Sequence, residues 1–122
     1  DTMVLVTDIK NTKYIKGITR EDLVTENYLM CNFALQDVGQ FIRGLFPKYH
    51  QFSLEIDDCS KIIPFLLNQN NYTFLPMDMA APLLKTTQLR AIPLIDFSAP
   101  IINSYVIGNT SKEKIWRSIF CN

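Results

Sequence analysis

Apolar residues along this chain fall into short blocks whose spacing alternates between that of strands and that of helices. Met3–Val6 is an uninterrupted apolar block, which is typical of a buried strand. In Phe52–Ile56 every second residue is apolar, the pattern of a strand with one side facing solvent. Similar blocks predict strands at Tyr28–Cys31, Tyr72–Leu75, Leu89–Leu94 and Ile101–Ile107. Pro93 lacks an amide donor and therefore places its strand towards an edge of the sheet.

Between these strands, apolar residues recur at the three- and four-residue spacing of helices. One such stripe predicts a helix over Ala34–Phe46, with Asn32 as its cap. Thr19 stands three residues before Asp22, a capping-box pattern that predicts a further short helix. More helices are predicted over Ser60–Leu67, Met77–Lys85 and Ser111–Phe120. Strands that alternate with helices in this way predict an α/β sandwich with a mainly parallel sheet, whose ligands bind at the carboxyl ends of the strands.

The bulk composition is that of one folded domain. Of 122 residues, 48% are apolar and 20% are charged, which excludes a disordered chain. The 12 basic and 12 acidic side chains balance, so we expect no nucleic-acid binding by this surface itself. The longest apolar runs, such as Ile62–Leu67, are far shorter than the roughly 20 residues that cross a bilayer. The first residues show no signal peptide, so a cytoplasmic location without membrane contact is expected.

The reactive side chains form no recognisable catalytic or metal-binding set. Cys31, Cys59 and Cys121 lack CxxC spacing, and His50 is the single histidine, so we expect no metal site and free, buried thiols. A redox role for Cys31 or Cys59 remains open. The chain contains no GxSxG, P-loop, GxGxxG or HExxH motif. We therefore expect neither an enzyme nor a cofactor.

Two segments that join a strand to a helix are candidates for ligand binding. Cys31–Ala34 and Asp57–Ser60 each place small polar groups at a helix start, where backbone N–H groups attract anions such as carboxylates. The candidate effector contacts are Asn32, Phe33, Asp58, Cys59 and Ser60. The acids of the second segment repel an anion, which favours Asn32, Phe33 and Ser60. Plain helix capping is the equally weighted alternative.

Several runs of the sequence resemble one protein family. ENYLMCN, FIRGLFPKY and FSLEIDD, followed by SKIIPFLLNQNNYTFLPMDMA and LRAIPL, are similar to the second effector-binding subdomain of LysR-type transcriptional regulators. The resemblance covers almost the whole chain and is sharpest where a helix leads through a turn to Leu75-Pro76. Gln69 and Asn71 stand where the family usually has two glycines. Asn71 tolerates the left-handed backbone of such a turn and is added to the candidate effector contacts.

The resemblance implies a fold and a domain organisation. Residues 1–98 would form a three-layer, type II periplasmic-binding-protein-like subdomain with a mixed, mainly parallel sheet, and residues 99–122 a returning hinge strand and a C-terminal helix. Met3–Thr7 and Ile101–Gly108 would be adjacent antiparallel strands that cross between two subdomains. Val6, Thr7 and Tyr105 are then the predicted hinge residues.

The resemblance also implies a function in gene regulation. A small effector, such as a carboxylate, would bind between subdomains and control DNA binding by an N-terminal helix-turn-helix outside this chain. By analogy of position, Ala34–Phe46 and Phe52–Ile56 would form the surface of a homodimer or tetramer, through Val38, Ile42 and Leu54. A solute-binding protein of a transporter, which shares the fold, is the alternative. A signal sequence in place of the DNA-binding head would distinguish it.

Overall fold

The computed structural model describes residues 2–31 and 36–100. Its strands are β1 (Met3–Asp8), β2 (Asn27–Tyr28), β3 (Met30–Cys31), β4 (Glu55–Ile56), β5 (Asn71–Pro76) and β6 (Leu89–Ala91). Its helices are α1 (Arg20–Thr25), α2 (Gln36–Gly44), α3 (Ile63–Leu66) and α4 (Met77–Lys85), and a 3₁₀ turn at Cys59–Ile62 precedes α3. The strand predicted at Ile101–Ile107 and the helix predicted at Ser111–Phe120 lie outside the described residues.

Among the described residues, the main sheet has four strands in the order β2-β5-β1-β6. The central strand β1 runs antiparallel to both β5 and β6, whereas β2 runs parallel to β5. The predicted mixed sheet is therefore confirmed, but within the described residues this sheet is not mainly parallel, because its first strand opposes both neighbours. Within the described residues, β6 lies at an edge, as Pro93 in the predicted strand Leu89–Leu94 indicates, although only Leu89–Ala91 form the strand.

The segment predicted as one strand at Tyr28–Cys31 is shared between two sheets. Its first part, β2, pairs with β5, and its second part, β3, pairs in parallel with β4. The Leu29 N–H donates to the Tyr72 carbonyl at 2.8 Å, and the Met30 N–H donates to the Leu54 carbonyl at 3.0 Å. These two bonds point to opposite neighbours, so the segment joins the β3–β4 pair to the main sheet.

The two faces of the sheet bury different side chains, as the period of two along a strand requires. Met3 and Leu5 of β1 lie in one hydrophobic cluster, whereas Val6 lies in the other. Leu23 of α1 and Val38 and Ile42 of α2 complete the first cluster. Ile62, Leu66 and Ala80, from the 3₁₀ turn, α3 and α4, complete the second. Helices therefore cover both faces of the sheet.

Local sequence signals place the start of α1 and both ends of α4. The capping box before α1 is present, since the Thr19 hydroxyl accepts the Asp22 N–H at 3.1 Å and the Asp22 carboxylate accepts the Thr19 N–H at 3.4 Å. Helix α4 spans Met77–Lys85, as predicted. The helix predicted from Ser60 begins instead as the 3₁₀ turn. Of the strand predicted over Phe52–Ile56, only the last two residues pair.

Two residue-level expectations are wrong. Cys31 is buried and disulfide-bonded, so it is not the free thiol that the sequence suggested. Asn71 is not the left-handed residue of the turn before β5, because it is the first residue of that strand. Asn68 takes that conformation instead, with φ of 61°. The left-handed position thus falls three residues before the predicted one.

Candidate functional site

The strands β3, β4 and β5 end at one side of the structure, which we call the carboxyl edge. Cys31 ends β3 in register with Ile56 of β4, and Pro76 ends β5. From the segment 27–31 the chain continues through α2 to β4, which lies on one side of that segment. The chain then crosses to β5, which lies on the other side and is followed by α4. Such a reversal of strand order opens a crevice outside the carboxyl ends, where α/β proteins bind ligands.

The first and last described residues, Thr2 and Pro100, both lie at this same edge. The Met3 N–H, at the start of β1, donates to the Pro100 carbonyl at 3.3 Å. The Met77 N–H, at the start of α4, donates to the Thr2 carbonyl at 3.1 Å. The first and last described residues therefore lie side by side, directly beside the start of a helix. Thr2 and Pro100 are not among the predicted site residues, because a pattern of apolar residues does not reveal which backbone groups pair.

Helix α4 presents its N-terminus to the carboxyl edge. It begins directly after Pro76, and no side chain caps it. Its Met77 side chain is 40% exposed, whereas Ala80 is buried. The N–H groups of a first turn carry a partial positive charge that attracts anions, although Asp78 in this turn offsets part of it.

Asp58 and Ser60, two predicted contacts after β4, bind each other. The Asp58 carboxylate accepts the Ser60 N–H at 3.0 Å and the Ser60 hydroxyl at 2.7 Å. These hydrogen bonds, chiefly the one from the hydroxyl, lower the pKa of Asp58. The predicted contact Cys59 begins the 3₁₀ turn that this carboxylate caps. This segment caps the 3₁₀ turn, which is the alternative that the sequence left open. Its negative charge also disfavours the binding of an anion. Asn32 and Phe33 lie outside the described residues.

Asn71 lies at the opposite end of the sheet, which we call the amino edge. It pairs in register with Asn27 at the start of β5, five residues from Pro76, or roughly 16 Å at 3.3 Å per residue. Its amide donates to the Phe65 carbonyl at 2.8 Å and to the Gln69 side chain at 3.1 Å, and accepts from Asn27 at 2.6 Å. The structure therefore does not bring Asn71 together with Asp58 and Ser60.

The predicted hinge residues Val6 and Thr7 lie inside the sheet. Both are fully buried in β1, with Val6 paired to Thr73 on one side and Ala91 on the other. The Thr7 hydroxyl donates to the Asn71 carbonyl at 2.9 Å. The first and last described residues, Thr2 and Pro100, lie nearer the start of β1. Tyr105 lies outside the described residues.

The predicted interface residues are mostly internal. Val38 and Ile42 are buried in the first cluster, and Leu54 packs, partly buried, against the second. Their apolar spacing reflects the core rather than a contact surface. Phe41, which is 41% exposed, and Arg43, which forms a 2.7 Å ion pair with Glu55, lie on the accessible side of α2.

The described residues show no cluster that could hold a metal ion. No three His, Cys, Asp or Glu side chains among them are placed to hold a metal ion. The His50 ring packs against Phe46 and Phe52, with centroid distances of 4.7 and 4.8 Å. None of the helices in the described part of the chain has the length and apolar character to cross a membrane.

Comparison with known proteins identifies a similar fold. The structure is similar to the crystal structure of the probable transcriptional regulator PA0477 from Pseudomonas aeruginosa, with a TM-score of 0.59 and 12% sequence identity. The match covers 81% of this chain and 34% of the regulator's chain, so this chain spans about a third of that protein. No protein-family model and no curated protein matches the sequence. The similarity shows that a mixed α/β fold like this one occurs in a probable transcriptional regulator.

Proposed function

We propose that this chain is the second effector-binding subdomain of a LysR-type transcriptional regulator, and that a small effector binds at its carboxyl edge. The observation that carries this proposal is the hydrogen bond from Met3 to Pro100. A subdomain joined to a partner by two crossing strands must receive and return the chain side by side. The pairing of these two residues meets that requirement.

The location of this crossing also supports an allosteric role. Met3 and Pro100 lie at the edge where parallel strands end and where α4 begins without a side-chain cap. A hinge placed beside a ligand crevice opens or closes that crevice when the two subdomains rotate. An effector that binds the closed form better than the open form shifts the balance between them. In the intact dimer or tetramer, this rotation would alter how the DNA-reading helices are presented.

The proposed organisation follows the family resemblance. Residues 1–98 form the type II periplasmic-binding-protein-like subdomain, and residues 99–122 return towards the first subdomain. The effector is a small anion such as a carboxylate, which contacts Asn32, Phe33 and the first turn of α4. The α4 turn supplies backbone N–H groups, whereas the capped Asp58–Ser60 segment forms the less favourable side of the crevice.

The test uses the intact gene product, its promoter DNA and a panel of small carboxylates in a mobility-shift assay. Met77→Glu adds a negative charge to an exposed position at the start of α4, where an acidic residue is compatible with the helix. We expect it to weaken the response to the effector at least tenfold without changing DNA affinity in the effector's absence. Gln51→Glu adds the same charge at an exposed position outside the carboxyl edge and serves as the control.

Two results would overturn the proposal. One is intact protein that does not bind DNA, or binds it identically with every carboxylate of the panel. The other is an equal response from the Met77 and Gln51 variants, which would remove the carboxyl edge from the effector site.

A further inference from the structure

The amino edge of the sheet contains a cavity of about 200 Å³ that the proposed function does not use. Three turns form it: Asp8–Lys10 at the end of β1, Leu67–Asn68 before β5 and Thr87–Gln88 before β6. Binding sites for drug-sized ligands measure roughly 300–1,000 Å³, so this cavity suits only a small metabolite. The cavity lies at the end of β1, whereas the proposed effector crevice lies at its start, so the two sites are separated by the length of this strand.

The backbone around this cavity is strained at Thr87. Asn68 and Thr87 adopt positive φ angles of 61° and 54°, and both line the cavity. Among the described residues other than glycine, Tyr14 is the one other residue with a positive φ. Threonine is a poor choice for this conformation because its branched Cβ crowds the backbone. Strain of this kind is concentrated at functional sites, where the surrounding structure compensates for it.

The cavity also holds two opposite charges that do not neutralise each other. The Asp8 side chain accepts the Asn68 N–H at 2.8 Å on one oxygen and the Lys10 N–H at 2.9 Å on the other. Each carboxylate oxygen retains acceptor capacity, and the residue is 4% exposed. The Lys10 ammonium donates to the Asn68 side chain at 3.1 Å. The ion pairs found between described residues, Lys13–Glu26 and Arg43–Glu55, do not include Asp8 or Lys10.

We propose that this cavity binds a small aliphatic α-amino acid. The ammonium group of the ligand lies against the Asp8 carboxylate, and its carboxylate is held by the Lys10 ammonium. Ile9, which is 38% exposed, and Leu67 supply an apolar wall for the aliphatic side chain. An amine would contact only the Asp8 carboxylate and an acid only the Lys10 ammonium, whereas a zwitterion contacts both, so a zwitterion fits the site better than either.

Isothermal titration calorimetry on the 122-residue chain tests this assignment with L-valine as the probe. We expect a dissociation constant of about 1 mM or lower. Isobutylamine, which lacks the carboxylate, and 3-methylbutanoate, which lacks the ammonium group, should each bind at least tenfold more weakly.

Two lysine variants locate the site. Lys10→Gln should weaken L-valine binding at least tenfold, whereas Lys16→Gln, at an exposed position on another turn, should leave it unchanged. Lys10 is used in preference to Asp8, because Asp8 accepts two backbone N–H groups and its loss could unfold the turn. Circular dichroism confirms that both variants are folded.

Three outcomes overturn the proposal: no binding of L-valine at millimolar concentration, equal binding of isobutylamine or 3-methylbutanoate, or unchanged binding by the Lys10 variant. Binding that Met77→Glu weakens but Lys10→Gln does not would place the amino acid at the carboxyl edge instead. Failure of this proposal leaves the regulator assignment intact, because the DNA assay does not involve the cavity.

Discussion

At the scale of single residues, Gly17 is required where the loop before α1 packs against the segment that follows β6. Its φ of 136° lies in a region that residues with a side chain rarely adopt. An added Cβ would stand 2.7 Å from Cγ1 of Ile95 and 3.3 Å from the Pro93 carbonyl oxygen. The next residue, Ile18, forms a parallel bridge to Leu94. Glycine is therefore required both by the backbone angle and by the closeness of the opposing segment.

Replacing this glycine should have the opposite effect to replacing a glycine in a helix. We expect Gly17→Ala to lower the free energy of unfolding by roughly 1–3 kcal/mol through backbone strain. Gly39→Ala, in α2 with nothing within 4 Å of the added carbon, should raise it by about 0.5–1 kcal/mol through helix propensity. Urea denaturation followed by circular dichroism measures both. A Gly17 variant as stable as the Gly39 variant would contradict this account of the turn.

The interactions of Glu26 are expected to make the free energy of unfolding depend on pH. One of its carboxylate oxygens accepts the Lys13 ammonium at 2.7 Å and the Tyr14 hydroxyl at 2.6 Å. Burial opposes the charged form, but these two hydrogen bonds prevail and lower the pKa of Glu26 below its usual value of 4.5. A lowered pKa in the folded state contributes stability above the unfolded pKa, and this contribution is lost as the pH falls.

Accordingly, Glu26→Gln should destabilise the protein near neutral pH and much less in acid. The difference in the free energy of unfolding between wild type and variant should shrink as the pH falls from about 7 to about 3. Chemical denaturation at several pH values measures this difference. Glu21→Gln, at an exposed position in the first turn of α1, is the matched control and should show a smaller change across the same range. A difference that stays constant with pH would count against the Glu26 interaction.

At the scale of elements, local signals are predictable and pairing partners are not. Helix α4 was predictable to the residue, because its boundaries follow from Pro76 and from local apolar spacing. Tyr28–Cys31 looked like one strand, yet it serves two neighbours, β5 and β4. Only two residues of Phe52–Ile56 pair, although the whole segment alternates. A strand is defined by the partner that its backbone groups find, and the sequence pattern does not name that partner.

The turn between α4 and β6 shows that an element boundary also stores strain. Thr87 holds a left-handed conformation there and donates its hydroxyl to the Thr86 carbonyl at 2.7 Å. Thr87→Asn should raise the free energy of unfolding by about 0.5–1 kcal/mol, because asparagine adopts this conformation more easily. Thr12→Asn, at an exposed position without a positive φ, should change it by less than about 0.5 kcal/mol. Thermal unfolding of the two variants tests this, and equal shifts would refute the strain argument.

At the scale of the whole molecule, the alternation of strands and helices predicted a crevice at the carboxyl edge, but not which residues face it. Asn71 was assigned to the crevice from a turn motif, whereas its pairing with Asn27 places it at the amino edge. Asp58 and Ser60 lie after a strand as expected, yet they hydrogen-bond each other. Val38 and Ile42 form core rather than interface. Position along the chain fixes the edge, whereas the use of a side chain depends on which polar or apolar groups the fold places beside it.

The central claim is that this fold is one of two subdomains in a DNA-binding regulator. The coding sequence upstream of Asp1 in the native gene tests it most directly. We predict a helix-turn-helix, a linker helix and one α/β half-domain that leads into Met3 of β1. A signal peptide followed by a half-domain, without a DNA-binding head, would contradict the regulator and identify a solute-binding protein. A start codon near Asp1 would contradict the two-subdomain account altogether.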